Sequence, residues 1–421
     1  MRLKVQKARG MKDYFKEEAE KIKFLREELI NLGEKLGFQY IEMPAVEQEL
    51  LFTASLGEAT DVVEKEMYYL AKKEGGQRLV LRPEGTAPTL RLYFENGFLS
   101  ETQPVKFMYF ERMYRRERPQ SGRYREHRQF GLEIIGSETP FADFEIIASF
   151  AEILKFLKIN NFKFKINSIG CLDCREKFKK DLKKYYQKLK RKICDDCKRR
   201  LKVNPLRLLD CKNETCLPLK ETAPNILNYL CKHCQEHFQK LVEYLERSKT
   251  NYEIEETLVR GFDYYNRTVF EIFVPEKGSL ALGGGGRYDP LSHFIANQFV
   301  PAVGGGLGIE RILDLIQLPS KTKKEETIFI AYVGEEARIK AYEIFLHLLA
   351  HNFKVKHALS KTSLSHQLDY ANKLGVKYSL ILGMLEISQN TIILRDMMTG
   401  NQEILSQANL IEELKTKLKE K

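Results

Sequence analysis

The stretch 105–136, VKFMYFERMYRRERPQSGRYREHRQFGLEIIG, decides how the rest of the chain is read, because it sets seven arginines between two segments with the character of core strands. Residues 105–114 are apolar and aromatic. Residues 129–135 alternate with period two, which puts Gln129, Gly131 and Glu133 on one face and Phe130, Leu132 and Ile134 on the other. A polar loop with the turn formers Pro119, Ser121 and Gly122 joins the two. A carboxylate at Glu133, in a strand otherwise fit for burial, is costly unless something pairs with it. Gly131, two residues back on the same face, leaves room for that partner. The arginines suit a triphosphate. A charged hairpin with a solvated face, in which Glu133 pairs with one of its own arginines, would give the same pattern.

The chain has 421 residues, enough for two or three domains. With 43% hydrophobic and 30% charged residues it is globular rather than disordered. The N-terminal MRLKVQKARGMKDYFKEE lacks an apolar run of signal-peptide length, and no segment approaches the roughly 20 apolar residues of a membrane span, so a cytoplasmic protein is expected. A net charge of +11 argues for a polyanionic partner. That charge is local: residues 171–240 hold 19 Lys and Arg against 9 Asp and Glu. All eight cysteines fall in the same stretch.

Along the chain, Ile22, Leu25, Leu29 and Leu36 recur at near-helical spacing up to Gly37, which predicts an amphipathic helix over 16–36. FQYIEMPAVEQELLF (38–52) reads as strand, with Pro44 at an edge. MYYLAKKEGGQRLVLRPEGTAP reads as a hairpin leading into Glu84 and Thr86, which face the same way if extended, and a helix is expected from Pro88. A second amphipathic helix is expected over 141–158 and a strand at KFKINSIG. Cys171-x2-Cys174 and Cys194-x2-Cys197 lie 19 residues apart, and Cys211-x4-Cys216 and Cys231-x2-Cys234 lie 14 apart. These spacings suit four-thiolate zinc sites, structural because no position stays open for chemistry, with reduced structural thiols as the other reading and the pairing left open. TVFEIFV alternates as a strand. The glycine runs GGGGRYD and GGGLGIERI match neither a dinucleotide fingerprint nor a P-loop, and suggest close approach of a flat ligand to strand backbone. A helix over 307–317 would put Arg311 near a positive dipole end. After the polar LPSKTKKEE, the segments TIFIAYVG, 335–351, FKVKHAL, 364–374, YSLILGM and TIILRDMMTGNQEIL alternate as an α/β domain.

The strand-loop-strand at 105–136 resembles the second signature motif of class II aminoacyl-tRNA synthetases, and YRRERPQSGRYREHRQFGLE is similar to the histidyl-tRNA synthetase family. RPEGTAP (82–88), LVRGFDYYNRTVFEI (258–272), GGRYD (285–289) and GGGLGIERI (304–312) match the same family in its order over about 230 residues. The resemblance implies an α+β fold: an antiparallel-sheet catalytic domain in two parts, 1–168 and 251–320, a basic cysteine-rich insertion at 169–250 that contacts the tRNA acceptor arm, and an anticodon-binding domain at 326–421. It also implies a homodimer through Pro44, with ATP, Mg²⁺, L-histidine and tRNA(His) as ligands.

Carried over residue by residue, the family's roles put Arg115 and Arg260 on the α-phosphate, Arg123 and Arg311 at the γ-phosphate end, and Glu117 beside ATP. Glu84, Thr86 and Gln129 would bind the substrate ammonium, and Glu133 with Tyr265 the imidazole. The expected activity is ligation of histidine to its tRNA through an adenylate. In the acyl-activating step the protein supplies position and charge rather than a nucleophile, which suits an arginine-rich site with no evident Ser/His/Asp or Cys/His set. Two alternatives stand beside it: a non-catalytic regulatory paralogue in histidine biosynthesis, and a zinc-bearing nucleic-acid-binding module.

Overall fold

The structure, a computed structural model, describes residues 5–56, 62–71, 76–117, 124–275, 281–316, 327–358, 360 and 363–419. It divides into two compact units, Met1–Ile316 and Gln317–Lys421.

The strands of the first unit are β1 (Gln39–Tyr40), β2 (Val46–Gln48), β3 (Tyr68–Tyr69), β4 (Leu79–Leu81), β5 (Val105–Tyr114), β6 (Glu126–Ile135), β7 (Lys163–Ser168), β8 (Tyr252–Ile254), β9 (Asn266–Phe273), β10 (Gly283–Arg287) and β11 (Ala302–Gly308). Eight of them form one sheet in the order β1-β5-β6-β11-β10-β9-β7-β8, and β2-β4-β3 form a small second sheet. The large sheet is antiparallel from β5 through β7, while its edge strands β1 and β8 join in parallel. The period-two pattern of β6 is realised: Phe130, Leu132 and Ile134 enter a core with Phe270, Ile272, Val303 and the helix Pro140–Phe156. Gln129 and Glu133 therefore look out from the opposite face, where β11 lies alongside with Gly304 opposite Glu133 and Gly308 opposite Gln129.

Several local expectations are corrected. The segment ELLF belongs to a helix, Glu49–Leu56, because the three consecutive apolar residues Leu50, Leu51 and Phe52 carry no period and tertiary packing decides their form. The helix expected from Pro88 begins at Thr86 and ends at Glu95, since Glu84 accepts from the backbone N–H groups of Thr86 and Ala87 and so satisfies its first turn. Glu84 and Thr86 are thus not on one extended face. The helix expected over 307–317 is shorter, Ile309–Leu313. Strand β6 starts three residues before the alternating run.

The cysteine-bearing stretch folds mainly as helices, Leu172–Lys188, Asp195–Val203 and Lys232–Arg247. It has no separate core. Phe178, Leu182, Tyr186, Leu201 and Leu208 share one cluster with Leu258, Val259, Tyr264 and Tyr265, and Phe238, Leu241 and Leu245 pack into the cluster under β6. Arg287, from GGRYD, is wholly buried and pairs with Asp143 and Asp289, tying the helix Pro140–Phe156 to β10.

The second unit is a five-stranded sheet, β12 (Ile328–Tyr332), β13 (Val355–His357), β14 (Tyr378–Leu382), β15 (Thr391–Asp396) and β16 (Gln402–Ser406), in the order β13-β12-β14-β15-β16. Apolar side chains alternate to both faces: Ile328, Ile330 and Leu380 pack with the helix Glu335–Ala350, and Phe329, Ala331 and Ile381 with the helix Leu364–Leu374. A closing helix, Leu410–Lys419, was not anticipated and adds Leu410 and Leu414 to the first of these cores.

Candidate active site

The site is built on the glycine-rich face of the large sheet. Glu133 is fully buried and meets three hydroxyls: Thr86 Oγ1 donates to Oε1 at 2.9 Å, Tyr109 lies 3.4 Å from the same oxygen, and Tyr288 donates to Oε2 at 2.5 Å. Burial pushes its carboxyl up to about 8, against the pull of these hydroxyls. Among the described residues no arginine is a hydrogen-bond partner of Glu133, and its full burial does not fit the reading of a solvated ion pair.

The glycines have a definite occupant. A Cβ at Gly304 would stand 1.6 Å from Glu133 Oε2, one at Gly306 1.8 Å from Gln129 Nε2, and one at Gly131 2.0 Å from the Tyr109 ring. Gly284 likewise lies against Arg260, and Gly286 against Tyr265. The runs on β10 and β11 make room for the site's own side chains, and Gly283, Gly284, Gly306 and Gly308 also form part of the wall of an adjoining cleft. Gly131 does leave room for a partner of Glu133, and that partner is Tyr109.

Beside this pocket opens a cleft of about 900 Å³ lined by Arg115, Glu117, Gln129, Arg260 and Arg311. Each arginine is aimed by its contacts. Arg115 Nε donates to Pro83 O at 2.7 Å, and its guanidinium stands over the Phe262 ring. Arg260 is paired with Glu271 at 2.9 Å and lies against the Tyr265 ring. Arg311 is held by the carbonyl of Ala281. Glu117 lies 3.9 Å from Arg115, and Arg123 falls outside the described residues. Of the seven arginines in 105–136, Arg112 pairs with Glu126, Arg125 donates to the carbonyls of Arg9 and Glu117, and Arg128 pairs with Glu310. These three brace the hairpin rather than line the cleft.

The structure brings together Glu84, Thr86, Glu133 and, from the fourth motif, Tyr288, whereas Tyr265 stands with Tyr264 and Arg260 at the wall shared with the cleft. Sequence reasoning missed Tyr109, Tyr288 and His127. Tyr109 sits opposite Gly131 across the β5–β6 pair, and that cross-strand match of a large residue with a glycine was the available signal. His127 lines the cleft with its imidazole held uncharged at about 3 by burial and then by Arg115 and Arg311.

The cysteines form two quartets, and the pairing is nested rather than sequential. Cys171 and Cys174 meet Cys231 and Cys234, and Cys194 and Cys197 meet Cys211 and Cys216, with the sulfurs of each set within 4.8 Å of one another. No cysteine is in a disulfide. Sulfur separations of 3.5 Å (Cys171 to Cys174) and 3.8 Å (Cys194 to Cys211) match the roughly 3.8 Å edge of a tetrahedron with ~2.3 Å metal–sulfur bonds. Backbone N–H groups point at the sulfurs, Cys231 N at Cys174 (3.1 Å) and Cys194 N at Cys216 (3.3 Å), an arrangement suited to thiolates. Among the described residues no helix is long and apolar enough to cross a membrane.

An antiparallel sheet whose central hairpin and glycine-rich strands carry an arginine-lined cleft beside a sealed polar pocket defines a class II aminoacyl-tRNA synthetase catalytic fold. The histidyl-tRNA synthetase family model matches residues 10–312 and the anticodon-binding-domain model residues 327–417. The chain belongs to the histidyl-tRNA synthetase family. It is 41% identical over 400 residues to the histidine–tRNA ligase of Thermosipho melanesiensis, covering 94% of this chain and 95% of that one. It is 40% identical over 406 residues to that of Thermotoga maritima, covering 95% and 96%. The crystal structure of apo Staphylococcus aureus histidyl-tRNA synthetase superposes with a TM-score of 0.78 at 28% identity, over 97% of this chain and 99% of that one. A Bacillus halodurans structure titled as an ATP phosphoribosyltransferase regulatory subunit/histidyl-tRNA synthetase, at 22% identity and a TM-score of 0.65 over 91% and 99%, shares the fold.

Proposed function

We propose that this chain ligates L-histidine to tRNA(His) through a histidyl-adenylate, releasing diphosphate and then AMP. The observation that carries the reading is the buried Glu133 carboxyl, ringed by Thr86, Tyr109 and Tyr288 at the end of an arginine-lined cleft. Poised at about 8, Glu133 can meet an imidazole in either form: as carboxylate it accepts a ring N–H, and as acid it donates to a bare ring nitrogen. Side chains without a matching polar group leave it unpaired, so rejection can reach roughly 10⁴-fold without editing.

Glu84, Thr86 and Gln129 take the ammonium, and Glu133 with Tyr265 the imidazole. Glu84 already accepts two backbone N–H groups, and its remaining lone pairs serve the substrate. Arg115 and Arg260 hold the α-phosphate as the histidine carboxylate attacks phosphorus and diphosphate leaves, Arg123 and Arg311 take the γ-phosphate end, and Glu117 a contact near ATP. Class II synthetases use ATP with Mg²⁺, which would neutralise the β- and γ-phosphates; Glu66 and Glu117 are among the cleft-wall carboxylates that could hold it. In the second step the terminal hydroxyl of the tRNA attacks the adenylate carbonyl. The basic 169–250 segment grips the acceptor arm, the 326–421 domain reads the anticodon, and the molecule acts as a homodimer in the cytoplasm. Each cysteine quartet holds one structural Zn²⁺.

Histidine-dependent exchange of diphosphate into ATP tests the activity, and its absence in a protein that binds tRNA overturns it. Elemental analysis should find close to two zinc ions per chain, and serine at Cys211 should remove one of them; carefully prepared protein without bound metal sinks the zinc assignment.

A further inference from the structure

The loop that carries Arg260 and Tyr265 joins β8 to β9 and has no strand of its own. Its position is set from outside. From β7, Asn167 Nδ2 donates to the carbonyls of Glu256 and Leu258. The rest of the loop is gripped by three side chains of the cysteine-bearing segment. Arg207 Nη1 donates to Gly261 O at 2.6 Å, and Asn204 Nδ2 to Asp263 Oδ1 at 2.7 Å. Arg175 Nη1 donates to Tyr265 O at 2.8 Å and Asp263 O at 3.2 Å. All three donors are buried. Loop carbonyls taken in this way are fixed with little freedom, because a buried donor without its acceptor is costly.

Each grip is tied to a quartet. Asn204 and Arg207 stand between Cys197 and Cys211, in the span that a metal on the inner quartet would close into a ring. Asn204 also accepts from Leu206 N through Oδ1, so the turn that follows it and the bond to Asp263 are set together. Arg175 directly follows Cys174, in the first turns of the helix Leu172–Lys188. The inner quartet borders the catalytic cleft itself, for Cys194, Arg207 and Cys211 line the same cavity as Arg115 and Arg260.

We infer that Arg175, Asn204 and Arg207 are positioning residues for histidine activation: stapled by the two cysteine quartets, they hold the loop that presents Arg260 to the α-phosphate and Tyr265 to the amino acid. The metal half of this inference rests on the zinc reading, whereas the clamp rests on the contacts alone. Activation therefore depends on the 169–250 segment, which the resemblance sets outside the two parts of the catalytic domain and assigns to the tRNA acceptor arm.

The test uses the intact chain. Arg207→Met and Arg175→Met keep side-chain bulk and remove the donors. The expected result is a fall of about tenfold or more in kcat for diphosphate exchange with a raised KM for histidine, while the metal content stays at the parent's value and the protein still melts cooperatively, only a few degrees below the parent for the lost buried hydrogen bonds. Arg207→Lys, which keeps one donor, should restore the larger part of kcat. Both methionine variants within threefold of the parent, with unchanged KM, would overturn the clamp. In parallel, zinc is stripped from the parent protein with a chelator, and released metal is followed by a dye alongside exchange. Exchange should fall with zinc release and return when zinc is added back. Parent-level exchange after both ions have gone overturns the metal half, as does parent protein that never held metal; the methionine variants decide the clamp in either case.

Discussion

The Glu133 pocket and the arginine-lined cleft, proposed to take histidine and phosphate, adjoin on one sheet yet are organised by opposite means. In the pocket the Glu133 carboxylate is sealed from water and satisfied by hydroxyls, so its charge is suppressed and, on the proposed function, its geometry carries the selectivity. In the cleft the arginines keep their charge, and backbone carbonyls and carboxylates only aim them. Discrimination between amino acids calls for desolvated polar groups that punish a mismatch, whereas stabilising phosphate charge calls for cations already fixed before the substrate arrives. Glycine serves both, clearing space for Glu133 and Gln129 on β11 and for Arg260 on β10.

The sharpest separation of the two regions comes from Arg260→Ala. Losing one preorganised donor at the α-phosphate should lower adenylate formation by about 10²-fold or more, and exchange within tenfold of the parent would remove Arg260 from that role. Glu133→Gln should act on the other side only, raising KM for histidine by about tenfold or more while KM for ATP stays within about twofold. Equal losses for both substrates would mean that pocket and cleft are one unit. Gly304→Ala should reproduce the histidine defect, because the added methyl takes the place of a Glu133 oxygen; a normal histidine KM in that variant would show that the carboxylate is not held there for binding.

The smallest effect is on stability. The carboxyl of Glu133 titrates near 8 in the fold against 4.5 ordinarily, so between these values the folded state binds more protons than the unfolded one. Its contribution is complete below about 4.5 and is lost as the pH rises to 8. In ligand-free protein, Glu133→Gln should melt higher than the parent at pH 8 by about 2 °C or more, with the difference shrinking toward pH 5. A constant offset across that range would assign the change to packing instead.

Much of this was legible in the chain. The alternation of Phe130, Leu132 and Ile134 with Gln129 and Glu133 declared a half-buried strand because side-chain direction in a strand is fixed by the backbone. The helices Leu364–Leu374 and Pro140–Phe156 followed from apolar spacing. Boundaries and short apolar runs were less readable: ELLF has no period of its own, and the start of the helix at Thr86 depends on where the Glu84 side chain turns. The arginines of 105–136 were overread as a phosphate set, since sequence does not reveal that Arg128 is drawn to Glu310, more than 180 positions away.

By itself, the sequence determined the strands and helices, the local concentration of positive charge and cysteine, and the residue types of the site, because these depend on periodicity, composition and short-range chemistry. Tertiary structure alone decided three things: that Tyr288 completes the Glu133 pocket, that the cysteines pair outer with outer and inner with inner, and that Arg175, Asn204 and Arg207 reach the Arg260 loop. Each joins groups brought together only by strand pairing or helix packing across long separations, and such meetings leave no pattern in the order of residues along the chain.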